Sequence, residues 1–220
     1  AVANSLANCG QVCCSIERVY VAECVASEFE ALVTAEAASY TVGNGLQEGV
    51  KLGPLVSDVQ RQHVHMHVTA AVSAGARCLL GGVLPPADEP GTFYPPTVLA
   101  DVPQACVTTQ QETFGPVIAL SPFGGDEESA ILLSNDSEYG LSACVYTSDL
   151  HKASRVASRL RAGQIGVNNW PIDCAPLHCP WVGHKKSGLG YHSGEDGWRQ
   201  FSVPKSIIFH PGSDLPDCLS

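Results

Sequence analysis

The sequence predicts an α/β fold in which a largely parallel sheet is flanked by helices. Short β-branched and aromatic runs alternate along the chain with segments that repeat apolar residues at helical spacing. This alternation is typical of strands joined by crossover helices, which favours parallel pairing. The chain has 220 residues, of which 45% are hydrophobic and 15% charged, and this is sufficient for one large globular domain.

The first part of the chain predicts two strands and two helices. A β-branched and aromatic run predicts a strand at residues 17–22. Helical spacing of apolar residues predicts helices at 25–38 and 57–74, and Ser57 is a plausible N-cap of the second. A further strand is predicted at Arg77–Leu80.

The second part predicts shorter elements around one long loop. Apolar runs predict strands at 98–99, 107–108, 117–120, 143–147, 165–168 and 207–209. Helices are predicted at 126–133 and 150–160. Residues 173–190 are rich in Pro, Gly, Cys and His and predict a loop, which inside a compact domain is more often functional than idle.

Charge and composition exclude two classes of partner. The net charge is −10, whereas nucleic acid and anionic membranes require a basic face. No apolar run approaches the ~20 residues of a membrane span. The first residues lack the features of a signal peptide and resemble the middle of a helix. We therefore expect a truncated chain, in which any native targeting segment is not visible.

The ten cysteines stand at irregular positions, and only Cys13 and Cys14 are adjacent. Secreted disulfide scaffolds carry more cysteine in far shorter chains. We therefore expect mostly reduced thiols and an intracellular location, cytoplasmic or organellar. A disulfide framework is the less favoured alternative.

A candidate nucleophile lies in the segment NCGQVCCSIERVYV at residues 8–21. Taken alone, an intracellular cysteine is more often a small buried hydrophobe than a catalytic group. Here Gly10 and Gln11 precede Cys13, and Arg18 follows five residues after it, before an apolar strand. This sequence pattern resembles the nucleophile signature of the aldehyde dehydrogenase superfamily.

Five further segments resemble the same family in order and spacing. They are GPLV with the following Gln (53–60), GTFYPPTV (91–98), QETFGPV (111–117), YGLS (139–142) and PWVGHKKSG (180–188). None is specific singly, but together they span nearly the whole chain. The resemblance implies the family's catalytic-domain fold, beginning mid-domain.

The resemblance implies oxidation of a small aldehyde to its carboxylic acid with NAD or NADP. The Cys13 thiolate would attack the carbonyl, and loss of hydride to the nicotinamide would leave a thioester that water hydrolyses. Its backbone N–H would help to bind the developing oxyanion. Cys14 is the alternative nucleophile.

The same matching implies four cofactor-binding residues. Glu112 corresponds to a carboxylate that accepts the hydroxyls of the nicotinamide ribose, and Phe114 packs beside the nicotinamide. Gln60 matches a position that reaches the adenosine-side ribose. His63, one helical turn later, stands where many members carry lysine. Without the resemblance, Glu112 would be interpreted as a solvated loop carboxylate and Phe114 as a core aromatic residue.

Three residues of the long loop and its approach are candidates for lining the substrate path. Trp181 replaces a phenylalanine that lines the family's substrate tunnel, and its larger indole would narrow the mouth. Trp170 and Asp173 lie on the same approach. The alternative is that both tryptophans only anchor loops.

Two clusters rich in histidine or cysteine could be interpreted as metal sites, but neither has a complete ligand pattern. His63 and His67 share one helix face, as in an i, i+4 zinc pair, but no acidic third ligand is placed. The cysteines and histidines within 174–184 miss the usual C-x2-C spacing. We predict no metal.

The predicted organisation is a catalytic domain at 1–203, an oligomerisation strand at 204–210 and a frayed tail at 211–220. The resemblance implies that the strand pairs with another subunit of a homodimer or tetramer; the alternative is an edge or core strand of this same sheet. No G-x-G-x-x-G occurs. The resemblance places the nucleotide-binding domain, the general-base Glu and the oxyanion-hole Asn before the nucleophile, outside this chain.

Two other function classes stay open at this point. One is a non-catalytic interaction module, a remnant that keeps the fold. The other is a cofactor-independent cysteine esterase, since a reactive thiol can be acylated by activated esters.

Overall fold

Four strands form the main sheet of the computed structural model, which describes residues 1–86, 88–170 and 178–212. They are β1 (Arg18–Ala22), β2 (Arg77–Leu80), β3 (Thr97–Ala100) and β4 (Val117–Phe123), in the order β1-β4-β3-β2. β4 pairs in parallel with both β1 and β3, and β2 adds an antiparallel edge. The prediction of an α/β fold with a largely parallel sheet is confirmed.

Helices connect and cover these strands. They are α1 (Val2–Leu6), α2 (Glu23–Ala38), α3 (Asp58–Ser73), α4 (Val107–Gln110), α5 (Glu127–Asn135) and α6 (Leu150–Ala157). The long helices predicted from apolar spacing are α2 and α3. The predicted N-cap is also present, because the Ser57 hydroxyl accepts a hydrogen bond from the Gln60 N–H at 3.1 Å.

The core lies along β3 and β4. All four residues of β3 are buried, as are the first five of β4. Leu99 and Ile118 are completely buried. Strands covered on both faces consist of continuous apolar runs rather than alternating ones, as in the run VIAL at residues 117–120.

A second group of short strands follows α5. β6 (Ser142–Val145) pairs in parallel with β7 (Gln164–Val167), and α6 lies between them in the chain. Two small antiparallel pairs join β5 (Tyr139–Gly140) to β9 (His184–Lys185) and β8 (Trp181–Val182) to β10 (Tyr191–His192). The segment predicted as one long loop at 173–190 therefore contains two short strands, and its residues 173–177 lie outside the described part of the chain.

One predicted strand is wrong, and a second, which we expect to pair with another subunit, is not tested by a single chain. Residues 107–108 begin helix α4, since parallel neighbours β3 and β4 need a crossover between them, and Val107 accepts a hydrogen bond from the Gln111 N–H at 2.8 Å. Residues 207–209 form no strand and are exposed, Ile208 to 92%. A strand requires a partner, and the described residues supply none for this segment.

Within residues 1–86, 88–170 and 178–212, no helix combines the length and the apolar character that crossing a membrane requires.

Candidate active site

Cys13 lies in the loop that leads from the short 3₁₀ turn Ala7–Gly10 into β1. Its thiol is exposed, whereas that of the neighbouring Cys14 is buried. Burial, with a contribution from the adjacent Cys13 thiol, raises the pKa of Cys14 to about 11. At neutral pH Cys14 therefore remains a thiol, and Cys13 is the accessible member of the pair.

The backbone before Cys13 has an unusual conformation. Asn8, Cys9 and Gly10 have φ values of 48°, 59° and 71°, all in the left-handed region. Gly10 packs directly on the main chain of Gly115, because a Cβ atom at Gly10 would stand 2.0 Å from the Gly115 carbonyl oxygen. The glycine of the nucleophile signature is therefore required by a contact between two backbones.

Side chains of residues 8–17, named here the nucleophile loop, bind residues 53–56. The Gln11 Oε1 accepts a hydrogen bond from the Val56 N–H at 2.9 Å. The Cys9 thiol donates to the Gly53 carbonyl at 3.0 Å. The nucleophile loop thus rests on the chain that leads into α3.

Helix α3 holds the segment Glu112 to Phe114, named here the cofactor segment. The Gln60 amide nitrogen donates to the carbonyls of Thr113 at 3.1 Å and Phe114 at 3.0 Å. His63 Nε2 lies 3.3 Å from the Glu112 carbonyl oxygen. In this structure the Gln60 amide nitrogen thus binds main chain.

His67 also lies on α3 and contacts the cofactor segment from the buried side of the helix. It is completely buried, and its Nδ1 lies 3.1 Å from the Thr113 hydroxyl. Burial, assisted by the nearby His63, lowers the pKa of His67 to about 4, so the ring is neutral at physiological pH. The two rings stand 4.2 Å apart between centroids. Among the residues that the structure describes, no group of three or more His, Cys, Asp or Glu could hold a metal ion.

Glu17 also belongs to the site, and the sequence analysis missed it. Its carboxylate accepts hydrogen bonds from the main-chain N–H groups of Thr113 and Phe114. Burial raises the pKa of the Glu17 carboxyl, while these N–H groups act in the opposite sense. The available signal was a carboxylate at the start of a largely apolar strand, where a charge needs partners.

The predicted cofactor residues line one open cavity of about 580 Å³. Gln60, His63, Glu112 and Phe114 lie along it, and the remaining lining residues are Gln111, Glu138 and Tyr139. The structure therefore brings together residues that are more than 50 positions apart in the chain. The Glu112 side chain is exposed in this cavity.

The three substrate-lining candidates have different surroundings. Trp170 is buried, and its indole N–H donates to the Cys14 carbonyl at 3.1 Å, which anchors the nucleophile loop. Trp181 is half-buried in β8, where it pairs with His192. Asp173 lies outside the described residues.

A family model described as "Aldehyde dehydrogenase family" matches residues 1–207. Among curated proteins, the chain is similar to the succinate-semialdehyde dehydrogenase of Paenarthrobacter nicotinovorans, with 40% identity over 207 residues. It is also similar to the glutarate-semialdehyde dehydrogenase of Pseudomonas putida, with 38% identity over 197 residues. These matches cover 94% and 90% of this chain but 45% and 40% of the relatives, so the chain spans less than half of their length.

Solved structures give the same result. The aldehyde dehydrogenase of Mycobacterium tuberculosis complexed with NAD+ matches 97% of this chain and 44% of that chain, with a TM-score of 0.89 and 34% identity. The lactaldehyde dehydrogenase of Escherichia coli matches 91% of this chain and 41% of that chain, with a TM-score of 0.85 and 33% identity.

Proposed function

Since the chain belongs to the aldehyde dehydrogenase family, we propose that it supplies the nucleophile and part of the cofactor site for oxidation of a small aldehyde to its carboxylic acid. One observation carries the proposal. The exposed thiol of Cys13 lies on a loop that packs, backbone against backbone, on the residue that follows the cofactor segment.

The proposed chemistry uses Cys13 twice. Its thiolate forms a bond to the aldehyde carbon, and the carbonyl electron pair moves to oxygen, where the Cys13 N–H can donate to it. Loss of hydride restores the carbonyl as a thioester. Water then attacks the same carbon and breaks the C–S bond, which releases the acid and the thiol.

The cavity has the chemistry that a nicotinamide nucleotide needs. The exposed Glu112 carboxylate has oxygens that can accept both hydroxyls of a ribose, and Phe114 offers an aromatic face. Gln60 and His63 complete a polar wall that is suited to the remainder of the nucleotide. NAD or NADP, when bound, supplies the hydride acceptor. Trp181 and Trp170, with Asp173, are proposed to border the path of the aldehyde.

Further parts complete the proposed enzyme. More than half of each curated relative lies outside the matched region, and we propose that a nucleotide-binding domain closes the cavity. The eight cysteines among the described residues are all free, which supports a reducing, intracellular compartment.

The first test is the relative reactivity of the thiols. Treatment of the folded protein with substoichiometric iodoacetamide is expected to label Cys13 ahead of all other cysteines, and peptide mass spectrometry gives the distribution. The exposed Cys24 and Cys78 are internal controls, and the Cys78 thiol donates to the carbonyls of Leu80 and Gly81. Preferential labelling of Cys78 or Cys144 would contradict the assignment and favour a non-catalytic module.

We also propose that residues 204–210 pair with another subunit. Ile207 and Ile208 are exposed to 64% and 92%, and an apolar segment without a ladder partner is a liability that proteins cover. In the native full-length protein, deletion of 205–220 is expected to convert a dimer or tetramer to a smaller species in size-exclusion chromatography, with Cys13 labelling retained. Deletion of 211–220 alone is the control. An unchanged oligomer after the longer deletion would show that the segment serves one protomer only.

A further inference from the structure

The nucleophile loop and the cofactor segment enter the main sheet side by side. The loop leads into β1, the cofactor segment leads into β4, and these strands are parallel neighbours with Arg18 opposite Ala119. Glu17 stands immediately before β1, and its carbonyl accepts a hydrogen bond from the Ala119 N–H at 3.4 Å. The register of the sheet therefore fixes the Glu17 main chain next to the end of the cofactor segment.

The Glu17 carboxylate binds the cofactor segment directly. Oε1 accepts from the Phe114 N–H at 2.8 Å, and the Thr113 N–H lies 3.1 Å from both oxygens. An ionised carboxylate only accepts, so it suits two main-chain donors that point the same way. Arg18 is directed elsewhere, to the Tyr20 hydroxyl and the Ser134 carbonyl, both at 3.2 Å.

The conformation of Phe114 needs such support. Its φ is 51°, in the left-handed region that a bulky residue rarely adopts. Gln60 binds the carbonyls of the segment from α3, and Glu17 binds its N–H groups from the start of β1. Without Glu17, the carbonyls stay held while the N–H groups lose their partner.

We propose that Glu17 is a positioning residue, whose carboxylate holds Thr113 and Phe114 so that the cofactor segment presents Glu112 and Phe114 toward the nicotinamide half of the cofactor. The inference rests on the proposed function and deepens it. Glu17 acts through the cofactor segment. Partial burial of the Glu17 carboxylate costs folding free energy, and this favours a role in the site over a role in stabilising the core.

The test compares three substitutions at Glu17 in the native full-length protein. Glu17→Ala is expected to raise the KM for NAD+ about tenfold or more, because two main-chain donors lose their acceptor. Glu17→Gln is expected to stay within about threefold of wild type, because one amide oxygen can replace Oε1, which accepts from both donors. Glu17→Asp keeps the charge but withdraws it by one methylene, so it should resemble the alanine variant.

A second readout does not depend on turnover. NAD+ should protect Cys13 from alkylation, and the half-protecting concentration should rise in Glu17→Ala and Glu17→Asp by the same factor as the KM. Glu23→Ala is the matched control, because it removes an exposed carboxylate from the first turn of α2, at the far end of β1. It should leave both quantities unchanged.

Each outcome decides between two roles. If Glu17→Ala melts at a lower temperature but keeps the wild-type KM and protection, Glu17 is merely structural and the inference is overturned. If the alanine variant does not fold, wild-type values in Glu17→Asp overturn it equally. A wild-type protein that neither oxidises aldehydes nor gains protection from NAD+ would remove the proposed function, a result distinct from wild-type behaviour in the variants alone.

Discussion

Replacement of Cys13 by serine is expected to lower kcat for aldehyde oxidation at least about a thousandfold, because a hydroxyl at neutral pH is a far weaker nucleophile than a thiolate and no second nucleophile replaces it. The measurement is NADH formed per second in the native full-length protein at saturating aldehyde. The KM for NAD+ should change little, since Glu112 and Phe114 are untouched. Any thiol-dependent ester cleavage should disappear in the same variant.

Cys14→Ser and Cys24→Ser are the matched controls for that substitution. Cys14 is buried and its pKa is raised to about 11, so it carries little thiolate at neutral pH. Cys24 is exposed in the first turn of α2. Both variants should keep activity within about tenfold per folded molecule. Loss of activity in Cys14→Ser with retention in Cys13→Ser would reverse the assignment of the nucleophile.

Replacement of Gly10 by alanine is expected to destabilise the fold by about 3 kcal/mol or more, from a left-handed φ and a steric clash together. The φ is +71°, and the new Cβ would stand 2.0 Å from the oxygen and 2.5 Å from the carbon of the Gly115 carbonyl. Both are main-chain atoms, so no side chain can rotate away. In a protein of this size the melting temperature should fall by roughly 6–12 °C.

Gly45→Ala is the control for Gly10→Ala. Gly45 has no positive φ, and a Cβ atom at this position would meet nothing within 4 Å. Circular dichroism melts of both variants measure the difference. An unchanged melting temperature in Gly10→Ala together with unchanged alkylation of Cys13 would mean that Gly10 and Gly115 do not pack against one another in solution. If it melts normally but loses alkylation of Cys13, the contact would serve the site alone.

Local sequence patterns predicted most of the fold. Helices α2 and α3 have apolar residues at regular spacing, and Ser57 caps the second, so each was specified by its own residues. The prediction failed at one segment and stayed open at another, where secondary structure depends on residues distant in the chain or on another subunit. Residues 107–108 have strand-forming residue types but lie in the crossover between two parallel strands. Residues 207–209 have them too but have no neighbour to pair with among the described residues.

The candidate site divides in the same way. Cys13, Glu112 and Phe114 stand in recognisable segments, so the sequence alone selected them. Glu17, which the sequence analysis missed, and Trp170, which it selected only for the substrate path, contact those segments across 97 and 156 residues of chain. Such contacts depend on the register of β1 against β4 and on the position of β7, which no local pattern records.

The parallel pairing of β1 with β4 has a consequence for the order of folding. The nucleophile loop and the cofactor segment meet only when this pair closes a loop of about a hundred residues, an event of high contact order and therefore slow. Helices α2 and α3 can form earlier, from local contacts. We therefore expect a partly folded chain to carry the Cys13 thiol with no cofactor segment beside it, and the contact between the two segments to form late.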